Sequence, residues 1–193
     1  MKQYNREKNK LRPYISSHKI ILRNNKKEFK KIYLGKKSNF STKKVIKNEY
    51  FKTLKAHKLG ISPKPLSYKD TELIIKYLPI KKNFKQLIEQ NKLTNKLILS
   101  LAKKIAILHK NNIIHEDLSF TNVVLDTNNK LFIIDFSPGY FGRGNAGRYS
   151  DLGAIIASLR YFKPLYKPHL FFKMKKYNEF AKIFLKEYIK NYG

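Results

Sequence analysis

Apolar residues in the first part of the chain come in short runs separated by polar turns, which is the pattern of a small β-sheet. Two strands are predicted at 19–22 and 28–34, on either side of an Asn24–Asn25 turn. A third run, at 72–78, reads as a buried strand. These runs predict a small sheet near the start of the chain.

From residue 47 onward, apolar residues also recur every three or four positions, the spacing that places them on one face of an α-helix. Helices are predicted at 47–60, 84–90, 97–108, 151–162 and 177–188. Gly60 is suited to end the first helix, and Pro164 and Pro168 separate the last two. Because a small sheet is combined with a larger helical part, we predict an α+β fold.

A tight hairpin is predicted inside the helical half. The apolar runs Val123–Leu125 and Leu131–Ile134 flank Asp126–Asn129, four residues that favour turns. Asn122 comes directly before the first strand, and Asp135 follows the second. The hairpin therefore carries one polar side chain at each of its two ends.

Asp117 lies five residues before Asn122 and 18 residues before Asp135, in the run His-Glu-Asp-Leu. This arrangement resembles the catalytic half of the protein-kinase fold, in which an H-R-D-L-x-x-x-N loop precedes a hairpin and a D-F-G metal ligand. The resemblance implies that Asp117 accepts the proton of an acceptor hydroxyl, and that Asn122 and Asp135 bind Mg²⁺. It makes these three the candidate catalytic residues of an ATP-dependent phosphotransferase.

The same resemblance implies a bilobal fold, with a small β-rich N-lobe and a helical C-lobe. We expect a basic N-terminal arm at 1–13, the N-lobe at 14–78, and the C-lobe with the catalytic loop at 79–193. Together these segments would form one kinase-like domain.

A kinase also needs a strand lysine, paired with a helix glutamate, that holds the ATP phosphates. Glu49 lies in the first predicted helix and is the only acid between Glu28 and Asp70, so it is the candidate glutamate. Lys31 is the candidate lysine. Its neighbour Lys30, on the opposite face of the strand, is the alternative.

The resemblance also gives expectations for the nucleotide itself. Lys76 and Tyr77 stand at the position of the kinase hinge, where their backbone would meet the adenine edge. The G-x-G-x-x-G loop that covers the phosphates is missing, because Gly35 is the single glycine before Gly60. A shorter loop would have to bind the phosphates through its backbone N–H groups instead.

Three further polar residues receive structural interpretations. We expect His109 at the surface, at the end of a helix, and His115 as a hydrogen-bonding residue of the loop. Asp151 has two compatible interpretations: a helix N-cap and, by the kinase resemblance, an acceptor for hydrogen bonds from the catalytic-loop backbone.

The chain of 193 residues has 42 basic and 13 acidic residues, a net charge of +29. This charge indicates either an anionic partner such as nucleic acid or a lysine-rich proteome, and the even spread of lysines leaves both interpretations open. The absence of cysteine excludes disulfides and thiolate metal sites. No apolar window is long enough for a transmembrane segment, so we expect a cytoplasmic protein.

The missing glycine loop and the short segment after Asp135 resemble the minimal atypical kinases. The first resemblance is to the small serine/threonine kinase of the KEOPS tRNA-modification complex, related to the RIO kinases; the second is to the lipopolysaccharide-core sugar kinases. The first implies ATP, Mg²⁺, a protein acceptor and a tRNA or tRNA-modification partner, and the second a sugar-lipid hydroxyl acceptor. A nucleotide-binding pseudokinase and an RNA-binding scaffold are the remaining alternatives.

Two residues depart from the kinase pattern. Glu116 replaces the arginine that holds a phosphorylated activation loop in regulated kinases, and Ser137 replaces the glycine after the metal ligand. The segment 136–150 is too short to fold away and return as an activation loop. We therefore expect activity that does not depend on phosphorylation of this segment.

Overall fold

The computed structural model describes residues 14–15, 19–24, 27–33, 42–137, 147–160 and 171–193. The predicted arm at 1–13, the turn residue Asn25, Gly35, the prolines at 164 and 168 and the middle of the 136–150 segment lie outside the described residues.

Five strands form an antiparallel sheet in the order β1-β2-β3-β5-β4. They are β1 (Tyr14–Ile15), β2 (Lys19–Asn24), β3 (Glu28–Tyr33), β4 (Pro65–Lys69) and β5 (Glu72–Lys76). Helix α1 (Thr42–Lys58) packs against β4. The sequence interpretation missed β4, because this edge strand begins at a proline and buries only that residue. It was also wrong about β5 as a buried strand, since among its residues only Leu73 is fully buried.

A second sheet has the order β6-β7-β8 and contains the predicted hairpin. Its strands are β6 (Ile80–Asn83), β7 (Val123–Asp126) and β8 (Leu131–Ile133). All four residues of β7 are buried: three are apolar, and the fourth, Asp126, accepts hydrogen bonds from the Asn128 and Lys130 N–H groups. Strand β6 was not predicted, because three of its four residues are polar and it lies at the edge of the sheet.

Four more helices complete the fold: α2 (Phe84–Glu89), α3 (Asn95–Lys110), α4 (Gly147–Arg160) and α5 (Phe171–Tyr192). A capping box starts α2, since the side chains of Asn83 and Gln86 each accept a hydrogen bond of 2.9 Å from the other's backbone N–H. Helix α4 begins four residues before Asp151, so the prediction that Asp151 is an N-cap was wrong.

The hydrophobic core lies mainly between α3 and α5 and beneath the hairpin. Ile98, Leu101 and Ile105 of α3 and Phe184 of α5 are fully buried. Burial of each such side chain contributes about 1.5–3 kcal/mol relative to exposure. This helical core gives the hairpin and the loop before it a rigid support.

The core continues into the end of α1 through Ala56 and Ile61. The backbone N–H of Ile133 in β8 also donates a hydrogen bond of 2.9 Å to the Ile61 carbonyl. The β6-β7-β8 sheet is thus joined to the segment between α1 and β4, and the predicted two-lobed α+β architecture is confirmed. In the described part of the chain, no helix combines the length and apolarity needed to cross a membrane.

Candidate active site

Lys31 stands at the junction of the two lobes. Its Nζ lies 2.6 Å from Glu49 Oε1 on α1 and 2.6 Å from Asp135 Oδ1 after β8. Lys31 and Glu49 are 4% and 0% exposed, so the pair is withdrawn from water. The alternative Lys30 points the other way and forms a partly exposed ion pair of 2.7 Å with Glu72. The structure therefore brings Lys31, and not Lys30, to Glu49.

The pKa of Lys31 reflects two opposing effects. Burial by itself lowers this pKa, but the Glu49 and Asp135 carboxylates raise it well above its ordinary value. Tyr33, two residues along β3, donates its hydroxyl to Glu49 Oε2. Burial, and next the Glu49 charge, raise the pKa of this tyrosine as well. At neutral pH the cluster therefore combines a charged lysine with a neutral tyrosine.

The loop before the hairpin places Asp117 and Asn122 together. Asp117 is exposed at the surface, whereas Leu118 directly after it is buried. Asn122 Nδ2 donates a hydrogen bond of 2.8 Å to the Asp117 carbonyl, which fixes the orientation of the amide and directs its oxygen away from that carbonyl. The Ile134 N–H donates to the Asn122 carbonyl at 3.0 Å, so Asp135 follows a residue held against Asn122.

His115 is a structural residue of this loop, as predicted. Its Nε2 donates to the Ile134 carbonyl at 2.8 Å, and its Nδ1 accepts from the Asp117 N–H at 3.3 Å. These partners require the tautomer with the proton on Nε2. The buried ring packs against Phe136, with 4.7 Å between the ring centroids. His115 thereby holds the segments of Asp117 and Asp135 next to each other.

Asp151 anchors the same loop from α4. Its Oδ1 accepts from the Glu116 N–H at 2.9 Å, and its Oδ2 accepts from the His115 N–H at 2.8 Å and from His109 Nε2 at 3.1 Å. The predicted contact of Asp151 with the loop backbone is therefore present. His109 is 1% exposed, so the prediction of a surface histidine was wrong. Its Nδ1 lies 2.8 Å from the Tyr188 hydroxyl on α5.

Two residues of the site adopt positive φ angles that residues other than glycine rarely adopt. Glu116 has φ of 72° and Asp135 has φ of 63°. Such left-handed residues cost about 1–3 kcal/mol each and persist where neighbours determine the local structure, often at functional sites. Here the hydrogen bonds of Asp151 fix Glu116, while Lys31 and the Ser137 hydroxyl, at 2.6 and 2.5 Å from Oδ1, fix Asp135.

The backbone hydrogen bonds of the hinge residues limit which of their groups could face an adenine. The Lys76 N–H donates to the Lys64 carbonyl at 2.8 Å, and the Tyr77 N–H donates to the Lys27 carbonyl at 2.7 Å. Since both amides are used inside the protein, these residues would face an adenine through their carbonyl oxygens. The next amide, of Leu78, makes no hydrogen bond among the described residues, and the sequence interpretation did not consider it.

No group of three or more His, Cys, Asp or Glu side chains in the described ranges is arranged to hold a metal ion. Mg²⁺ does not require such a cage, because it is usually bound by one or two carboxylates together with substrate phosphates and water. The Asn122 amide oxygen and the Asp135 carboxylate are hard oxygen donors of this kind. The residues present therefore fit Mg²⁺.

Four residues that contact the predicted site residues were not predicted from the sequence: Tyr33, Lys52, Ser137, whose hydroxyl donates a hydrogen bond to Asp135, and Tyr188. Each contacts a residue that was predicted, but Tyr188 is 79 positions from His109 and Lys52 is 64 positions from Glu116. No local pattern in the sequence signals contacts over such separations. For Tyr33 a signal existed, since it shares a strand face with Lys31.

The profile of the RIO domain family matches residues 2–139. The chain belongs to the RIO domain family. This confirms the resemblance to the small RIO-like atypical kinases. No curated protein matches the sequence significantly.

Solved structures share the fold of this RIO domain. The Rio2 kinase from Chaetomium thermophilum, determined as an ADP/Mg²⁺-phosphoaspartate complex, is 12% identical, with 93% of this chain and 70% of that chain covered and a TM-score of 0.51. Monomeric WbdD is 15% identical, with 88% of this chain and 45% of that chain covered and a TM-score of 0.51. At these identities the likeness establishes the kinase-like bilobal fold alone.

Proposed function

We propose that this RIO domain is an ATP- and Mg²⁺-dependent phosphotransferase, an atypical kinase that acts on serine or threonine hydroxyls of a protein. The observation that carries the proposal is the position of Lys31, within 2.6 Å of both Glu49 and Asp135. One cation thereby connects the small sheet, α1 and the segment after the hairpin. Phosphoryl transfer needs this kind of positioning more than it needs covalent chemistry.

The residues divide into two groups in this proposal. Lys31, oriented by Glu49, binds the ATP phosphates, and the backbone at Lys76 and Tyr77 faces the adenine. Asn122 and Asp135 hold Mg²⁺, which neutralises the charge of the transferred phosphoryl group when it is bound.

Asp117 orients the acceptor and takes its proton. The bond from the γ-phosphorus to the bridging oxygen of ATP breaks, a bond to the acceptor oxygen forms, the hydroxyl proton passes to Asp117, and ADP leaves. The exposure of Asp117 supports this role, because a large acceptor can reach its carboxylate. An ATP-dependent reaction also fits the predicted cytoplasmic location, which stays a prediction.

Membership of the RIO family supports a protein acceptor over a sugar-lipid acceptor. The specific resemblance to the KEOPS kinase, with a tRNA or tRNA-modification complex as partner, remains part of the proposal. The net charge of +29 supports an anionic partner. Binding to tRNA should then weaken steeply as salt is added, because counterions are released on binding. Binding that is undetectable or insensitive to salt would contradict the tRNA partner.

The decisive experiment measures transfer of label from γ-labelled ATP to proteins, to RNA-modification partners and to sugar-lipid acceptors. Asp117→Asn should lower transfer by about 10²–10⁴-fold while nucleotide binding is kept, since general-base catalysis contributes that much. Asp135→Ala should remove Mg²⁺-dependent turnover in a folded protein. Asp126→Asn, at the end of β7 and away from the proposed chemistry, is the matched acid control, because the amide oxygen can still accept the hydrogen bonds from the Asn128 and Lys130 N–H groups.

Full activity in folded Asp117→Asn or Asp135→Ala would contradict the assignment of these residues. ATP binding without transfer to any acceptor would indicate a pseudokinase. The Rio2 complex contains a phosphoaspartate, so label that remains on this chain should also be treated with hydroxylamine. Release of that label would reveal an acyl phosphate and favour ATP hydrolysis through the protein itself.

A further inference from the structure

Glu116 immediately precedes the candidate base Asp117, and its side chain reaches the small lobe. Its Oε2 lies 2.9 Å from Nζ of Lys52 on α1, and the two side chains are 25% and 18% exposed. The Lys52 ammonium itself is shielded from solvent and does not approach Glu116 with the geometry of a hydrogen bond, so the contact is an ion pair. Within the described parts of the chain, Lys52 has no other ion-pair partner.

The backbone of Glu116 supports a specific role for this side chain. Its φ of 72° is one that glycine adopts without steric cost and glutamate does not. The residue is held there by the hydrogen bond from its N–H to Asp151. Glu116 is therefore fixed by α4 through its backbone and by α1 through its carboxylate.

Lys52 follows Glu49 by three residues, so both side chains leave α1 on the same face. Glu49 holds Lys31 on the nucleotide side of the site, and Lys52 holds Glu116 on the acceptor side. A displacement of α1 would disturb both contacts together. The helix thus connects the two halves of the candidate active site by charges one turn apart.

We propose that Lys52 and Glu116 are positioning residues that couple α1 to the catalytic loop. The pair keeps Lys31 and Asp117 in their working positions at the same time, and it does so by a direct contact that needs no phosphate. Its effect on catalysis rests on the proposed phosphotransferase function, whereas its effect on the mobility of α1 does not.

The test uses the full chain with Lys52→Met, Glu116→Gln and the charge exchange Lys52→Glu with Glu116→Lys. Each single variant should lower kcat on the order of tenfold, as expected when one of two coupled contact residues is lost. The exchange should recover most of that loss, because it restores an ion pair with reversed polarity. Lys55→Met, which removes an exposed lysine one turn further along α1, is the matched control and should leave kcat unchanged.

Glu116→Gly separates positioning from stability. It removes the carboxylate, as Glu116→Gln does, and it also relieves the left-handed backbone, so its melting temperature should exceed that of Glu116→Gln while its kcat falls as in Lys52→Met. A merely structural pair would give the more stable of these two variants the higher activity. Wild-type kcat in Glu116→Gly, or an exchange variant no better than the single variants, would overturn the proposal.

Hydrogen exchange of the α1 amides provides a readout that does not depend on activity. Exchange should speed up in Lys52→Met and Glu116→Gly, and slow again in the exchange variant. If wild-type protein transfers no phosphate but shows this pattern, the proposed function fails and the coupling stands. If α1 exchanges at the wild-type rate in every variant, the coupling is refuted whatever the activity.

Discussion

The nucleotide half and the acceptor half of the candidate site are stabilised by different forces. On the nucleotide side, the Lys31 ammonium lies 2.6 Å from a carboxylate oxygen of Glu49 and 2.6 Å from one of Asp135, and Lys31 and Glu49 are almost completely buried. On the acceptor side, two backbone N–H groups of the loop around Asp117 donate hydrogen bonds to one carboxylate, that of Asp151, and the loop packs on the helical core.

This difference determines how each half responds to substitution. When one member of a buried ion pair is removed, the other is left as an uncompensated charge, which is costly in a medium of low dielectric constant. When one donor of a hydrogen-bond network is removed, its partners retain their other bonds and the apolar core is unchanged. Single substitutions should therefore harm the nucleotide half more than the acceptor half.

The largest expected effect tests the nucleotide half. Lys31→Ala leaves Glu49 buried without its cation, so the free energy of unfolding should fall by about 3–5 kcal/mol, and transfer should fall sharply. Lys30→Ala removes the matched lysine of the same strand from a partly exposed pair, which is worth about 0–1 kcal/mol. Chemical denaturation and phosphotransfer assays on both variants check this. A greater loss in Lys30→Ala would show that the strand has the opposite register.

Alkaline pH should weaken the nucleotide half selectively. Lys31 keeps its proton to a higher pH when folded than its unfolded value of about 10.4, and Tyr33 does so relative to about 10. Above pH about 10 the folded chain therefore binds more protons than the unfolded chain, and its stability falls as the pH rises.

The measurement is the free energy of unfolding of wild type minus that of Tyr33→Phe, at several values between neutral pH and pH about 11.5. This difference removes the discharge of the other lysines, which both proteins share. It should be positive at neutral pH, where Tyr33 donates to Glu49, and should shrink above pH about 10 as ionised tyrosine becomes favoured in the unfolded chain. A constant difference across this range would contradict the raised pKa.

A smaller effect is expected in the acceptor half. Tyr188→Phe removes the hydroxyl next to His109 without a change of ring volume, so it should cost about 0.5–1.5 kcal/mol, the net value of one hydrogen bond. Tyr177→Phe, on the same helix, is the control, because this residue is also largely buried and its hydroxyl makes no hydrogen bond among the described residues. Equal losses of stability in both variants would exclude a role for the Tyr188 hydroxyl in supporting the loop.

The comparison also explains what could be predicted from sequence. Asp117 of the acceptor half and Asp135 of the nucleotide half could be grouped with Asn122 from the sequence, because one hairpin joins them and its turn and apolar strands are local patterns. The period of two in β3 predicted that Lys31 and Lys30 lie on opposite faces, and of the two it is Lys31 that contacts Glu49 in the structure, while its role toward ATP stays a prediction. Both predictions rest on contacts between residues close in sequence or on simple periodicity.

The errors arose where distant segments decide the environment. His109 was expected at the surface because it ends a helix, but Asp151 and Tyr188, from two later helices, enclose it. Strands β4 and β6 lack the alternation of apolar residues, because each is an edge strand and their neighbours supply the pairing. Glu116 was interpreted only as the replacement of a phosphate-binding arginine, and its contact with α1 exists only in the folded chain.

The smallest expected effect is none at all, on removal of phosphate from the chain. In a kinase controlled by an activation loop, an arginine next to the catalytic aspartate binds the phosphate of the phosphorylated loop. Here Glu116 occupies that place and its carboxylate already has Lys52 as partner, so a nearby phosphate would be repelled rather than bound. Tyr149, 84% exposed at the start of α4, is accessible to modification but lies in a helix that is already formed. Phosphatase-treated and untreated enzyme should therefore transfer phosphate at the same rate, with Tyr149→Phe and Ser150→Ala as variants that cannot be modified at these sites. If phosphatase treatment greatly lowers the rate of transfer, and these variants reproduce the loss, then phosphorylation controls the acceptor half. The loop around Asp117 would then depend on an added charge, as the nucleotide half depends on its ion pairs.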